Sequence, residues 1–418
     1  MYRKTTLANG VRVLTETMPH VRSASLGIWA DVGSAAERHE QRGISHLVEH
    51  MLFKGTQRRS AREIAETMDG VGGNLNAFTD KETTCYYAKV IDHHVPLAVD
   101  VLSDMFLNST FAPDELVKEQ NVVLEEIRMY DDAPDDVIFD LFTRTMWHGS
   151  HLGEPTIGYA ETVSALTSHD LRAHLRAHYA PNAIVFAAAG NVDHDAIVEL
   201  VARAFDGLCG IARLPVPERP IAAPKTLVKT KDTEQAYVVL GARGLGATDE
   251  RRYALSVLDT ILGGGMSSRL FQEVREKRGL AYSVYSFQQN YRGAGLFGVS
   301  AGTSPERVQE CVDVIASELA SFAQTGPTAA EITLAKEHIK GSLTLSLESS
   351  SSRMMRLGRS EFTHGHQFAI EEIEARFDAV TFDDVASLAR ELLVPEALGL
   401  FVLGPLDADA IAGLRPAA

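Results

Sequence analysis

Two stretches of the 418-residue chain match each other and indicate how it folds. The first is LTSHDLRAHLRAHYAPNAIVFAAAGNVD at Leu166–Asp193, and the second is VTFDDVASLARELLVPEALGLFVLGPLD at Val380–Asp407. Each leads from a threonine and an aspartate through spaced apolar residues to a proline, an apolar strand, a glycine and an aspartate. The order and spacing agree without a gap. Internal similarity of this kind predicts a duplicated domain.

A second pair of segments repeats the same relationship. An apolar strand at Tyr86–Val90 precedes a helical pattern at Val95–Phe106, and Leu296–Ser300 likewise precedes Val308–Leu319. Elsewhere, short alternating segments predict strands, and longer segments with apolar residues three and four apart predict amphipathic helices. We therefore predict an α+β fold of two homologous domains, each a mainly antiparallel β-sheet packed with α-helices.

Prolines and glycines between residues 207 and 225 mark the boundary between the two halves. Four prolines in this stretch disfavour both helix and strand, which is typical of a linker. The sequence predicts an N-terminal domain at 1–210, a Pro-rich linker at 211–225 and a C-terminal domain at 226–418.

Composition excludes several classes of protein. Hydrophobic residues make up 45% of the chain and charged residues 23%, as in ordinary globular proteins. The apolar runs fall short of the roughly 18 residues that a membrane span needs, so we expect no membrane segment. With 40 Lys and Arg against 56 Asp and Glu, the formal net charge is -16. This charge disfavours nucleic acid as a ligand and favours basic peptides.

Cysteine content bears on the cellular compartment. Cys85, Cys209 and Cys311 are odd in number and far apart, which argues against a disulfide framework or a thiolate metal site. We expect three buried free thiols. The first residues, Met1–Gly10, contain no apolar stretch of signal-peptide length. A cytoplasmic location is the prediction, with the mitochondrial matrix as the alternative if a transit peptide has been removed.

A His-x-x-Glu-His pattern lies in Gly43–Leu52, GISHLVEHML. On a helix its apolar residues form one face, while His46, Glu49 and His50 lie on the other. Histidines four apart can bind one ion, and the carboxylate between them lies within reach of a metal-bound water. Two such histidines can also occur by chance on a solvated face, so a third ligand is needed.

The third ligand should be a carboxylate on another element, because catalytic zinc generally takes three protein ligands. The best candidates are Glu119 and Glu126, two turns apart in the middle of a helical apolar face, whereas Glu125 points away. Val122 also falls on the predicted buried face. Buried carboxylates require a partner, and helical phasing does not choose between Glu119 and Glu126.

With these motifs, the sequence resembles the pitrilysin/insulysin superfamily of zinc peptidases, and in particular its processing-peptidase branch. The resemblance covers nearly the whole chain. It rests on four motifs. They are GISHLVEHM at residues 43–51 with KGT at 54–56, NAFT at 76–79 with ET at 82–83, the Glu119/Glu126 helix, and GGGMSSRLF at 263–271 leading to REKRGLAY at 275–282.

The resemblance implies a set of roles and a chamber enclosed like a clamshell by the two domains. It assigns His46, His50 and Glu126 as ligands of one Zn²⁺ and Glu49 as the general base. Glu119 is implied to be a supporting carboxylate for catalysis. The implied function is a zinc metalloendopeptidase that cleaves short or unfolded peptides, with basic presequence-like peptides as candidates.

Further residues are implied to bind substrate. Asn76, Ala77 and Phe78 correspond to an edge strand that pairs with an extended peptide; core packing is the alternative interpretation of Phe78. Arg275 and Tyr282 match a substrate-binding pair in the second domain, with a surface arginine and a strand tyrosine as the alternative. Because the chain corresponds to half of the longer enzymes, this pair is implied to reach the zinc of a partner subunit. That arrangement predicts a homodimer, or a heterodimer with a paralogue.

The duplication predicts one metal per chain. When Gly55 is aligned with Gly263, the three motif residues fall on Ala254, Val257 and Leu258, none of which is a metal ligand. The alternative function is a noncatalytic scaffold or peptide-presenting subunit of a larger complex. Loss of motif residues is typical of such subunits, and the motif here is complete.

Overall fold

The structure is a computed structural model that describes residues 1–406. Asp407 of the second repeat and the rest of the predicted second domain up to residue 418 lie outside the described residues. The strands are β1 Tyr2–Thr6, β2 Arg12–Thr17, β3 Ser23–Ala30, β4 Asn74–Thr79, β5 Thr84–Ile91, β6 Ile184–Gly190, β7 Thr226–Thr230, β8 Ala236–Arg243, β9 Ala281–Asn290, β10 Gly295–Thr303 and β11 Gly399–Gly404. The α-helices are α1 Ile44–Leu52, α2 Ala61–Asp69, α3 Val95–Asn108, α4 Pro113–Asp132, α5 Pro134–Met146, α6 Ala160–Ala165, α7 Ser168–His178, α8 His194–Ala204, α9 Arg252–Gly263, α10 Val308–Thr325, α11 Ala329–Ser346, α12 Ser350–His364, α13 Ile370–Ala379 and α14 Phe382–Leu392.

Two sheets of the same topology form the framework. The first has six strands in the order β1-β2-β6-β3-β5-β4, and the second has five in the order β7-β11-β8-β10-β9. Only the pairs β2/β6 and β7/β11 are parallel among the paired strands of these sheets. The last five strands of the first sheet therefore match the second sheet one by one. The predicted α+β fold with two similar, mainly antiparallel sheets is confirmed.

The repeated stretches form equivalent elements in the two sheets. Thr167 and Thr381 each begin a helix with a capping box, in which an aspartate three residues on bonds back to the threonine. The apolar strands that follow become β6 and β11, and both are buried along their whole length. The sequence match thus reflects a shared helix start and a shared central strand.

The chain divides into two compact units that exchange one helix each. The first unit contains Met1–Arg128, Glu154–Val216 and Thr344–Gln367. The second contains Met129–Gly153, Pro217–Leu343 and the described part of Phe368–Ala418. These units differ from the linear halves predicted from the sequence, because α5 belongs to the second unit and α12 to the first.

Buried side chains explain this exchange. On α5, the ring of Phe142 packs edge-to-face against Phe287 and Phe401 of the second sheet. On α12, Met354 and Leu357 are buried with Trp29 and neighbouring side chains of the first sheet. Burial of a large apolar side chain contributes about 1.5–3 kcal/mol, so each helix is held by the sheet that it covers.

Glycines allow the exchanged helices to approach closely. A Cβ at Gly358 of α12 would lie 2.2 Å from Cε2 of Trp29, and one at Gly27 of β3 would lie 2.6 Å from Sδ of Met354. In the second unit, a Cβ at Gly241 of β8 would lie 2.4 Å from Cε2 of Phe142. The helices therefore pack at positions where a larger residue would collide.

The stretch Gly210–Lys225 forms neither helix nor strand, as its prolines predict. Just before it, Cys209 is exposed, whereas Cys85 and Cys311 are buried. The prediction of three buried thiols is therefore wrong for Cys209, which follows the end of α8 and leaves the packed core. Across residues 1–406, no helix is both long and apolar enough to cross a membrane.

Candidate metal centre

Helix α1 is two-sided, as predicted. Its buried residues are Ile44, Ser45, Leu47, Val48, Met51 and Leu52. His46, Glu49 and His50 lie on the other side and retain partial exposure. The burial of one face against the sheet therefore fixes the direction in which the three polar side chains point.

Helix α4 brings the acidic residues to the same place. Glu119 is buried, with 5% exposure, between the core residues Leu116 and Val123. Glu125 faces outward and pairs with Arg128. Val122 is 49% exposed, so its placement on the buried face is wrong; the buried stripe of α4 is narrower than the sequence predicts.

The side chains of His46, His50 and Glu126 converge, with one ligand atom from each within 4.8 Å of the others. Oε2 of Glu126 lies 3.8 Å from Nε2 of His46 and 3.6 Å from Nε2 of His50. A tetrahedral Zn²⁺ with bonds of about 2.0–2.2 Å separates its ligand atoms by about 3.3–3.6 Å. The three donors are spaced for one such ion.

Glu119 contacts His50 on the side away from Glu126. Its Oε2 lies 3.1 Å from Nδ1 of His50, and its Oε1 lies 2.6 Å from Nζ of Lys54. A carboxylate that accepts from Nδ1 leaves Nε2 free as a metal ligand and fixes the orientation of the ring. Glu126 thus faces both imidazoles, whereas Glu119 contacts only that of His50.

The carboxyl group of Glu49 lies beside this cluster. Its Oε2 accepts a hydrogen bond of 2.6 Å from Oγ1 of Thr79 on β4. Burial raises the pKa of Glu49, and the charge of Glu126 adds to this, while Thr79 and His50 oppose it. A raised pKa makes the carboxyl group a better proton acceptor than an exposed glutamate.

The ring of His46 remains neutral. Burial and the nearby His50 lower the pKa of His46 to about 3. A neutral imidazole offers a lone pair to a metal ion. Nδ1 of His46 is buried without a hydrogen-bond partner in the described chain, in contrast to Nδ1 of His50.

Sequence reasoning missed two residues that hold the cluster in place. One is Lys54, in the KGT segment at residues 54–56, whose ammonium pairs with Glu119. The other is Glu37, which is 2% exposed and accepts hydrogen bonds of 2.8 Å from the backbone N–H groups of Gly43 and Ser45. Gly43 has φ 91° and supplies no side-chain cap, so Glu37 caps α1 from six residues upstream.

Strand β4 lies at the edge of the first sheet and carries the predicted substrate-binding residues. Asn76 is exposed, and its side-chain oxygen accepts from the N–H of Ala77. Phe78 packs against Trp29, with ring centroids 5.5 Å apart at 81°. Phe78 is therefore partly a packing residue, on the face of the sheet opposite the side chain of Thr79.

Arg275 and Tyr282 meet in the second unit. The guanidinium of Arg275 lies 4.7 Å from the ring centroid of Tyr282 and 4.7 Å from that of Phe271. The ring of Tyr282 is 79% exposed. The predicted pair is thus adjacent and accessible, and cation–π contact gives it a defined geometry.

The helix equivalent to α1 in the second unit is α9, and its burial pattern shifts the expected alignment by two residues. Residues 257, 258, 261 and 262 of α9 are buried in the spacing of residues 47, 48, 51 and 52 of α1. This pattern pairs Glu49 with Asp259, rather than with Val257. Asp259 accepts hydrogen bonds from the side chains of Ser286 and Gln288 on β9. In the same way, Glu49 accepts a hydrogen bond from Thr79 on β4.

The same pattern places Ser256 and Thr260 where the first unit has its two histidines. In α11, the buried residues Ile332 and Ala335 have the spacing of Leu116 and Glu119 in α4. The second unit thus retains an acidic residue but has no imidazoles at these positions. Among residues 1–406, the one group of three residues spaced for a metal is that of His46, His50 and Glu126.

Two family models and several known proteins match this chain. The family model described as insulinase, peptidase family M16, matches residues 12–159, and the model described as peptidase M16 inactive domain matches residues 165–339. A zinc protease of Streptomyces coelicolor, uncharacterized by name, is 47% identical over 97% of this chain and 90% of its own. Another, of Bacillus subtilis, is 44% identical over 97% of this chain and 98% of its own.

More distant relatives extend the similarity. A probable mitochondrial-processing peptidase subunit beta of Arabidopsis thaliana is 34% identical over 97% of this chain and 78% of its own. Two solved structures share the fold, and the match covers 97% of this chain and 99% of each of theirs. One is a peptidase M16 inactive domain from Pseudomonas fluorescens, with a TM-score of 0.91 and 22% identity. The other is a protease from Helicobacter pylori, with a TM-score of 0.90 and 23% identity. The predicted resemblance is confirmed: the chain belongs to peptidase family M16.

Proposed function

We propose that the protein is a zinc-dependent endopeptidase that cleaves short or unfolded peptides. The observation that carries this proposal is the convergence of His46, His50 and Glu126, with Glu49 beside them. The relatives named zinc proteases support zinc as the metal. We propose one ion per chain, because residues 1–406 contain one group of three residues spaced for a metal. Three protein ligands with a remaining open position are typical of catalytic zinc.

Zn²⁺ held by these ligands would lower the pKa of a coordinated water and polarise the peptide carbonyl. Glu49 accepts the proton of the attacking water, since burial gives its carboxyl group a raised pKa. It then returns that proton to the leaving amine. Thr79 holds the carboxyl group in place through its hydrogen bond to Oε2.

Glu119 and Lys54 position His50. The bond from Nδ1 of His50 to Glu119 directs Nε2 toward Glu126, and the ammonium of Lys54 compensates the buried charge of Glu119. A buried carboxylate without a partner is costly. Lys54 therefore supplies the partner that the buried carboxylate of Glu119 requires.

Peptide binding is proposed at β4 and at the Arg275–Tyr282 pair. As an edge strand, β4 can pair with an extended peptide through its main chain, with Asn76 to Phe78 beside the substrate. Arg275 and Tyr282 bind substrate and stabilise the carbonyl oxygen. We propose that they act on the site of a second subunit in a homodimer or a heterodimer with a paralogue, so that each chamber is completed by two chains.

The formal charge of -16 supports a preference for basic peptides, and a cytoplasmic or matrix location is proposed for the enzyme. The alternative is a noncatalytic scaffold subunit. The family description of residues 165–339 as an inactive domain is compatible with both. Zinc content and hydrolysis distinguish the two functions.

The test compares the wild-type chain with Glu49→Gln, Glu126→Gln and the control Glu125→Gln. We expect stoichiometric zinc and peptide hydrolysis in the wild type, zinc without hydrolysis in Glu49→Gln, and loss of both in Glu126→Gln. Glu125 is exposed and one residue away, so its variant should match the wild type. A wild-type chain that holds zinc and cleaves no quenched peptide would support the scaffold.

Subunit sharing has its own test. Glu49→Gln and Arg275→Ala chains are mixed under conditions in which labelled subunits exchange. Partial recovery of hydrolysis is the expected result, since one composite site would then be intact. Exchange without recovery contradicts the shared site.

A further inference from the structure

Helix α12 brings a cationic side chain to the flank of the edge strand. The guanidinium of Arg359 lies 5.8 Å from the ring centroid of Phe78 on β4. Its charge also acts on the buried Cys85, the cross-strand partner of Phe78 on β5. An arginine from late in the sequence thus lies next to the strand proposed to bind peptide.

The backbone position of Arg359 is fixed by its neighbours. Leu357 and Gly358, directly before it, are buried, and Gly358 lies so close to Trp29 that a Cβ would collide with its ring. The ring of Trp29 in turn packs edge-to-face on Phe78. The backbone that carries Arg359 and the ring beside it are therefore parts of one packed cluster.

Arg359 is exposed and has no ion-pair partner in the described part of the chain. Its neighbour Arg353 on the same helix pairs with Glu16, and Arg12 on β2 pairs with Glu361. A guanidinium that lies near an aromatic ring and forms no ion pair keeps its donors free for a planar anion such as a carboxylate. The arrangement offers a binding group for an acidic ligand.

Strand geometry defines which part of a peptide it would meet. The side chain of Thr79 reaches Glu49 on one face of the sheet, so Phe78 and Arg359 lie on the other. In a peptide added to β4, every second side chain lies on that opposite face.

We propose that Arg359 binds the carboxylate of an Asp or Glu side chain in a peptide paired with β4, and so sets an acidic preference at alternate substrate positions. The inference rests on peptide pairing at β4, which is part of the proposed function. It concerns only side chains on one face of the paired peptide and is compatible with a preference for basic residues elsewhere in the peptide.

The test measures peptide binding in the Glu49→Gln chain, where hydrolysis does not interfere. A set of peptides carries Asp at successive positions, each with a matched Asn peptide. We expect Asp to bind about two- to five-fold more tightly than Asn at positions separated by two residues, as for a partly exposed ion pair. The preference should disappear in Arg359→Gln.

Arg203→Gln is the matched control, because Arg203 is an exposed arginine on α8 of the same unit, paired with Glu199. It should keep the preference. Equal binding of Asp and Asn peptides at every position, or a preference that persists in Arg359→Gln, overturns the inference. Hydrolysis by the zinc-loaded wild type is measured separately, so an Asp preference without hydrolysis contradicts the peptidase and leaves the role of Arg359 standing.

Discussion

Replacing Glu37 with glutamine should change the pH dependence of stability. The carboxyl group of Glu37 is 2% exposed and accepts from the N–H groups of Gly43 and Ser45 at the start of α1. Burial raises the pKa of Glu37 to about 7, against the opposing effects of both N–H donors and of Arg42. In the unfolded chain the same group returns to its usual pKa near 4.5.

The sign follows from proton binding. Between the unfolded and folded pKa values, the folded chain holds a proton at Glu37 that the unfolded chain has released. The stabilising contribution is therefore fully present below pH 4.5 and is lost as the pH rises through about 7. From pH 5.5 to pH 8 the wild type should lose about 2 kcal/mol through this group, whereas Glu37→Gln should not.

The substitution also removes an acceptor. Glutamine keeps one carbonyl oxygen for the two N–H groups, and a buried donor left without a partner costs about 1–3 kcal/mol. At pH 5.5 the variant should therefore be less stable than the wild type. That difference should shrink by about 2 kcal/mol as the pH rises to 8.

Urea unfolding at several pH values, followed by circular dichroism in the presence of a chelator, measures the effect. The chelator removes the pH dependence of metal binding from the comparison. Glu125→Gln is the control, because Glu125 is exposed and paired with Arg128 on α4. A difference between wild type and Glu37→Gln that stays constant from pH 5.5 to 8 would refute the reasoning.

The remaining predictions concern the metal centre and the exchanged helix. Lys54→Met leaves the buried Glu119 without its cation. Zinc affinity, measured by chelator competition, should therefore fall about 10-fold or more. Unchanged affinity would contradict a supporting role of Lys54 at the metal site. Gly358→Ala places a Cβ 2.2 Å from the ring of Trp29 and should lower the free energy of unfolding by about 1–3 kcal/mol. As a control, Gly341→Ala has open space around the new Cβ and should leave the free energy of unfolding unchanged or raise it. Removing zinc from the wild type should lower its thermal midpoint, and an unchanged midpoint would argue against a bound ion.

The sequence predicted the parts of the site that depend on local periodicity. The polar face of α1 and the outward direction of Glu125 follow from the helical repeat alone. Helical phasing put Glu119 and Glu126 on one face, but it could not show that Glu126 meets both imidazoles while Glu119 meets one. That distinction depends on how α4 crosses α1, which no spacing within either helix contains.

Contacts between distant segments account for what was missed. Lys54 and Glu37 act through partners that are close in space because the chain folds back, and a lone lysine or glutamate carries no periodic signal. The exchange of α5 and α12 escaped the linear domain division for the same reason. Val122 is apolar and yet 49% exposed, because apolar character alone does not require burial and single exposed valines are ordinary.

The late position of α12 has a consequence for synthesis on the ribosome. Strands β2, β3, β5 and β6 can pair once about the first half of the chain has emerged, yet Leu14, Trp29 and Val185 share one buried cluster with Met354 and Leu357 of α12. Until that helix is translated, these apolar side chains of the nascent sheet remain exposed to solvent. We expect the growing polypeptide to rely on holding chaperones during this interval.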